Sequence, residues 1–249
     1  MLAAVRKRHL AAGYANPCDA HAVREAKAGF RRAGLALRPV QRPRRISLPS
    51  AVAWRLALLA SYSPPTLRRH LTAVVLQFWW LRRAGDITLL ELRDVDLPAD
   101  GRTCFRVRVH KTAALVGTLS RSLPASRDAL EDLPRRLLSR LLMERRAAGA
   151  RPDSRLFTDC APVEASAVVT AWLRDGLARL GVTAPVGTCY SSHSLKKGGA
   201  TSANAAGVPR GAISELSNTS ERTLAASYIS ALAVPSCYDR SFFGRLLPA

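Results

Sequence analysis

Ser192-His193-Ser194-Leu195-Lys196-Lys197-Gly198-Gly199-Ala200-Thr201, continuing through Ser202-Ala203-Asn204-Ala205-Ala206-Gly207-Val208-Pro209, is the stretch on which the reading of this chain turns. It is written as a helix. Ser192 is suited to the N-cap, and the alanine-rich run that follows loses little side-chain entropy in a helix. Gly207 offers a stop, with Pro209 just beyond it. His193 and Lys196 are three residues apart and share one face of the first turn. Helix N-termini favour anions, so an imidazole and an ammonium placed there describe a phosphate site. The competing reading is a packing helix with a solvated basic start.

The rest of the composition bears on that choice. The chain has 249 residues, 48% of them hydrophobic, enough for one sizeable core or a core with a small accessory domain. It carries 38 Lys+Arg against 18 Asp+Glu, a formal net charge of +20. Such a balance attracts polyanions, and nucleic acid is the first candidate. A compositional excess of Arg and Ala is the plainer source of the same charge. The cysteines at 18, 104, 160, 189 and 237 form no C-x-x-C pair, which points away from zinc sites and disulfide frameworks and fits a reducing compartment. The sequence shows no apolar run of bilayer length and no signal peptide.

Outward from the central stretch, the pattern is mainly helical. Residues 1–36 read as two short helices separated by Asn16-Pro17, the second with Val23, Ala26 and Phe30 on one face. Residues 37–50, with Pro39, Pro43 and Pro49 among Arg42, Arg44 and Arg45, read as an extended basic linker, either a solvated tether or, as we favour, a strap along phosphates. An amphipathic helix begins near residue 50. After Pro64-Pro65 a longer one carries Leu67, Leu71, Val74, Val75, Phe78 and Trp79 on a buried stripe. Cys104–His110 alternates as a strand, with Phe105, Val107 and Val109 inward, and Lys111 near the turn of a β-hairpin. Helices are expected over 126–147, 163–180 and 209–216, and a short one over 240–247. The expected class is therefore mainly α with a small β-hairpin or sheet.

In order, these residues resemble the boxes of tyrosine recombinases, the phage-integrase superfamily, and look closest to the version in DIRS-type retroelements. His193-Ser194-Leu195-Lys196-Lys197-Gly198-Gly199-Ala200-Thr201 is similar to the family's His-x-x-Arg box. Arg83 with Asp86, followed by a Leu-rich turn closing on Asp94-Val95-Asp96, resembles the first arginine box, with Arg82 as the fallback if the register slips. His9, Gly13, Asn16-Pro17, Val23 and Gly29-Phe30-Arg31-Arg32 are similar to the end of the family's DNA-gripping helical domain. The resemblance implies a partial helical core-binding domain over 1–36, the linker over 37–50 and a catalytic domain over 51–249.

The resemblance also implies a site and a chemistry. A tyrosine oxygen attacks a DNA phosphodiester, leaving a 3′-phosphotyrosyl link and a free 5′-hydroxyl, with no metal or cofactor. Arg83 and Lys196 would clamp the phosphate, His193 would transfer a proton, Lys111 would act as general acid, Asn218 would give a supporting contact and Tyr228 would attack. Tyr238 is the alternative nucleophile. The partner would be double-stranded DNA, held by a homo-oligomer, a tetramer on DNA, if the enzyme is active; the location would be the nucleus for a eukaryotic mobile element and otherwise the cytoplasm or nucleoid. Two departures stand out. Lys196 stands where the family has an arginine and keeps the charge without the two-pronged fork. Asn218 stands where it has histidine or tryptophan. A catalytically degraded DNA-binding protein of the same fold is the second reading. A basic RNA-binding protein is the third.

Overall fold

In a computed structural model the described residues are 8–14, 16, 20–21, 23–26, 28–29, 43–108, 119–123, 132–157, 160–230, 240 and 242–243. The chain divides into two units, residues 1–43 and 44–249. In the first, residues 8–11, 23–26 and 28–29 are helical.

The larger unit begins with β1 (Arg44–Arg45), followed by α1 (Ser50–Tyr62) and α2 (Pro65–Trp79). Pro65 occupies the first turn of α2, where its missing N–H is no loss. Helix α2 is the hub. Leu71, Val74, Leu76 and Phe78 are fully buried, and it packs on α1, α4 (Leu133–Ala147), α5 (Ala165–Arg179) and α6 (Ser192–Ala205). A buried cation also fixes this packing: Arg68 donates to the Ser63 carbonyl at 2.7 Å and meets Glu144 of α4 at 2.5 Å.

Between α2 and α4 lie a short α3 (Ala84–Thr88) and a three-stranded antiparallel sheet, β2 (Val95–Asp96), β3 (Thr103–Val107) and β4 (Leu119–Leu123), in the order β2-β3-β4. Phe105 and Val107 are buried and Arg106 is exposed, as their alternation requires. Phe105 stacks on Trp80, with centroids 4.1 Å apart and planes 2° from parallel. Val109, His110 and Lys111 lie outside the described residues.

Several sequence boundaries shift. The linker reading of 37–50 ends early, because residues 44–50 are built into the larger unit. Arg44 and Arg45 pair in parallel with Thr188 and Cys189 of β5 (Thr188–Cys189). Leu48 is buried and donates its N–H to the Ser194 carbonyl at 3.0 Å. The N-cap of α6 is Ser191, one residue before the expected Ser192, and Ser194 Oγ accepts the Ser191 N–H at 3.0 Å. After α6 come α7 (Arg210–Ser217) and a short helix, Glu221–Thr223, that runs into a π-turn, Leu224–Tyr228.

Candidate active site

The central stretch becomes α6, and its paired glycines show why it packs as it does. A Cβ on Gly198 would lie 2.2 Å from the Leu48 carbonyl oxygen, and one on Gly199 would lie 2.1 Å from that of Phe78. Only glycine allows backbone from two other segments to come this close. The start of α6 is pinned as well. Gln77 of α2 donates to the Ser192 carbonyl at 2.8 Å, Thr170 Oγ1 of α5 accepts the Ser192 N–H at 3.0 Å, and the Ser166 and Ser192 hydroxyls are 2.7 Å apart.

This packing opens a cavity of about 200 Å³ lined by Arg83, His193, Lys196 and Tyr228, together with Gln77 and Ser192. Arg83 enters from the N-cap of α3, whose start is held by Asp86 Oδ2 accepting the Arg83 N–H at 3.2 Å. Its side chain is half-buried and has no ion-pair partner among the described residues. Arg82 is different. It is completely buried, its guanidinium sits 5.3 Å from the Phe105 ring centroid, and none of the three guanidinium nitrogens has a hydrogen-bond partner among the described residues. Burial pushes the Arg82 pKa down to about 10, with Asp86 opposing and Arg121 and Arg83 adding to the shift. Of the two arginines in the first box, Arg83 lines the cavity.

Lys196 is buried, and its ammonium donates to the Ser217 carbonyl at 2.7 Å and to Thr219 Oγ1 at 2.6 Å. An ammonium has three donors, so one remains for the cavity. Burial, then the charge of Arg83, lowers the Lys196 pKa to about 7, with Asp86 opposing and Arg82 adding a smaller push. His193, exposed by its surface area, is also held below the ordinary imidazole value, by partial desolvation first and then by the charges of Arg45, Arg83 and Lys196. Tyr228 is half-buried at the end of the π-turn, and its ring centroid lies 5.1 Å from the Lys196 ammonium. Thr201 of α6 secures its backbone: Oγ1 donates to the Tyr228 carbonyl at 2.8 Å and accepts the Ser230 N–H at 3.1 Å.

One sequence candidate is not in this cluster. Asn218 ends α7 in the left-handed conformation (φ 48°), which asparagine tolerates better than most residues, and it does not line the cavity. Lys111 and Tyr238 lie outside the described residues. Reading the sequence missed Gln77, Thr201 and Thr219. Gln77 carried a signal, a polar residue flanked by the buried Val74, Val75 and Phe78.

Three solved structures share this arrangement of elements. XerA recombinase matches with a TM-score of 0.54 at 20% identity, over 83% of this chain and 66% of that one. XerH site-specific recombinase, bound to its palindromic difH substrate as a post-cleavage complex, matches at 0.53 and 14% identity, over 73% and 48%. Its pre-cleavage complex with difH matches at 0.53 and 14%, over 74% and 51%. The larger unit has the tyrosine recombinase catalytic fold. This chain spans about half to two thirds of the length of those tyrosine recombinases. No protein-family model matches the sequence, and no curated protein sequence matches it. Among the described residues, no His, Cys, Asp and Glu cluster is placed to hold a metal ion, and no helix is long and apolar enough to cross a membrane.

Proposed function

We propose that the chain is a DNA breaking-and-rejoining enzyme of the tyrosine recombinase type, from a mobile element related to DIRS-type retroelements and acting in the nucleus. The observation that carries this reading is one cavity lined by Arg83, His193, Lys196 and Tyr228. Those residues come from three separate boxes of the sequence, and their chemistry fits attack on a phosphodiester.

Tyr228 attacks phosphorus and the 5′-oxygen leaves. Arg83, unspent in ion pairs, holds two non-bridging oxygens through its planar fork. Lys196 adds a single charge-assisted donor. His193 moves a proton at the cavity mouth, and Lys111 protonates the leaving oxygen. Charge builds on the phosphoryl oxygens in the transition state, and fixed donors around it lower the barrier without reorganising. Residues 1–36 would belong to a helical domain that grips the duplex, and a homotetramer would hold two duplexes for exchange.

A nicked suicide duplex tests the reading. The expected product is a covalent protein–DNA adduct, retained in Tyr238→Phe and abolished in Tyr228→Phe. An adduct that survives Tyr228→Phe refutes the nucleophile. A second reading, a DNA-binding protein that has lost turnover, draws on the ties of Lys196 to Ser217 and Thr219, which hold it partly away from the cavity. Salt-sensitive duplex binding with no adduct from the unaltered protein would favour it.

A further inference from the structure

A second basic cavity of similar size also has His193 and Tyr228 in its lining. It has a volume of about 190 Å³ and is lined by Arg45, Ile46, Ser194, Lys197 and the same two side chains. His193 and Tyr228 are therefore common to two cavities, one bearing Arg83 and Lys196, the other Arg45 and Lys197. We infer that the Arg45–Lys197 cavity binds a DNA backbone phosphate next to the one that Tyr228 attacks.

Three observations carry this. First, both cations are unspent. Arg93, Arg102, Arg108, Arg140, Arg151 and Arg179 each face a carboxylate within 4 Å, whereas neither Arg45 nor Lys197 has an ion-pair partner among the described residues. Second, both are fixed in place. Arg45 sits in β1, paired with Cys189, and Lys197 sits in the first turns of α6 beside the glycines that lock that helix. Third, Arg45 acts on the reaction centre, since it is among the charges that hold His193 below its ordinary value. Two cations lining a concave site suit a phosphate monoanion, and His193 and Tyr228 line both cavities. Successive phosphates of one strand advance by roughly 3.4 Å along the duplex axis, so neighbouring phosphates need neighbouring sites.

The proposal rests on the recombinase reading for its ligand, but its test needs no chemistry. Binding of a random-sequence duplex is measured against salt for the unaltered chain, Arg45→Gln/Lys197→Gln and a charge-matched control, Arg174→Gln/Arg179→Gln on the exposed face of α5. Each phosphate contact contributes a slope of about 0.9 in log K against log[salt]. The double variant is expected to lose about one such contact, each single variant part of it, and the control none. Because Arg45 is exposed and Lys197 half-buried, the melting temperature stays unchanged. An unaltered slope, or an equal fall in the control, overturns the proposal. If the unaltered chain forms an adduct while the slope does not move, only this inference falls. If the slope moves and no adduct forms, the cavity stands and the recombinase reading falls. Absence of duplex binding by the unaltered chain overturns both.

Discussion

Lys196 places its ammonium 5.1 Å from the centroid of the Tyr228 ring while donating to Ser217 and Thr219. One buried cation thus joins α6, the turn after α7 and the residue proposed to attack DNA. Its usefulness depends on its proton. With a pKa of about 7 in the fold, it is charged below neutrality and loses its charge as pH rises. The second-order rate of adduct formation, which reports the free protein, should therefore fall through about pH 7. In Lys196→Arg the guanidinium stays charged, and that fall should disappear. A falling limb unchanged by Lys196→Arg would remove Lys196 as its source.

The same proton is linked to stability. An unfolded lysine titrates near 10.4, so between about pH 7 and 10 the unfolded chain holds a proton that the fold does not. Stability must rise with pH across that window. Urea unfolding at pH 7 and pH 9 should show the gain, and Lys196→Met should flatten it.

Arg82 and Arg83 are neighbours with opposite expected behaviour. Replacing Arg82 with Met removes a buried charge that has no side-chain hydrogen bond among the described residues and leaves an apolar side chain against Phe105. Similar replacements of buried charge are often neutral or stabilising by about 1–4 kcal/mol. Arg83→Ala should leave the melting temperature unchanged and slow adduct formation by roughly 10²–10³, the cost of one lost transition-state donor. Calorimetry and the suicide duplex separate the two. The reverse pattern would make Arg82 the residue that contacts the phosphate.

Glycine contacts give a pure packing prediction. Gly199→Ala forces a methyl to 2.1 Å from the Phe78 carbonyl oxygen and should cost at least about 1–3 kcal/mol, the usual range for overpacking. Gly85→Ala meets nothing within 4 Å and sits in α3, so it should gain up to about 1 kcal/mol. Denaturant midpoints for the two variants should move in opposite directions.

The Arg68–Glu144 contact predicts a separate loss of stability. Glu144→Gln leaves the buried guanidinium without its counter-charge. Because Glu144 is about one-third exposed, the expected cost is about 1–3 kcal/mol. No change in the denaturant midpoint would show that Ser63 alone suffices for Arg68.

Periodicity exposed much of this architecture. The pairs Leu137-Leu138 and Leu141-Leu142 mark the buried face of α4, and Phe105 and Val107 mark that of β3, because burial repeats with the geometry of the element. Tertiary contacts leave no such local trace. Nothing near Gly198 says that the Leu48 carbonyl will rest against it, and nothing near Lys196 announces Ser217 and Thr219 as its acceptors. Residues 44–50 misled for a related reason: proline and arginine describe an extended chain, but not whether a strand such as β5 is waiting to pair with it. Asn218 was selected by its place in a family pattern, while its backbone serves as a helix terminator.

The parallel pairing of Arg44–Arg45 with Thr188–Cys189 carries a mechanical implication. Within the larger unit, the chain is stitched beside the segment leading into α6 before it reaches α1. A pull at Arg44 would load the β1–β5 ladder and the Leu48–Ser194 bond first, so that tension there would register at His193, one residue from Ser194.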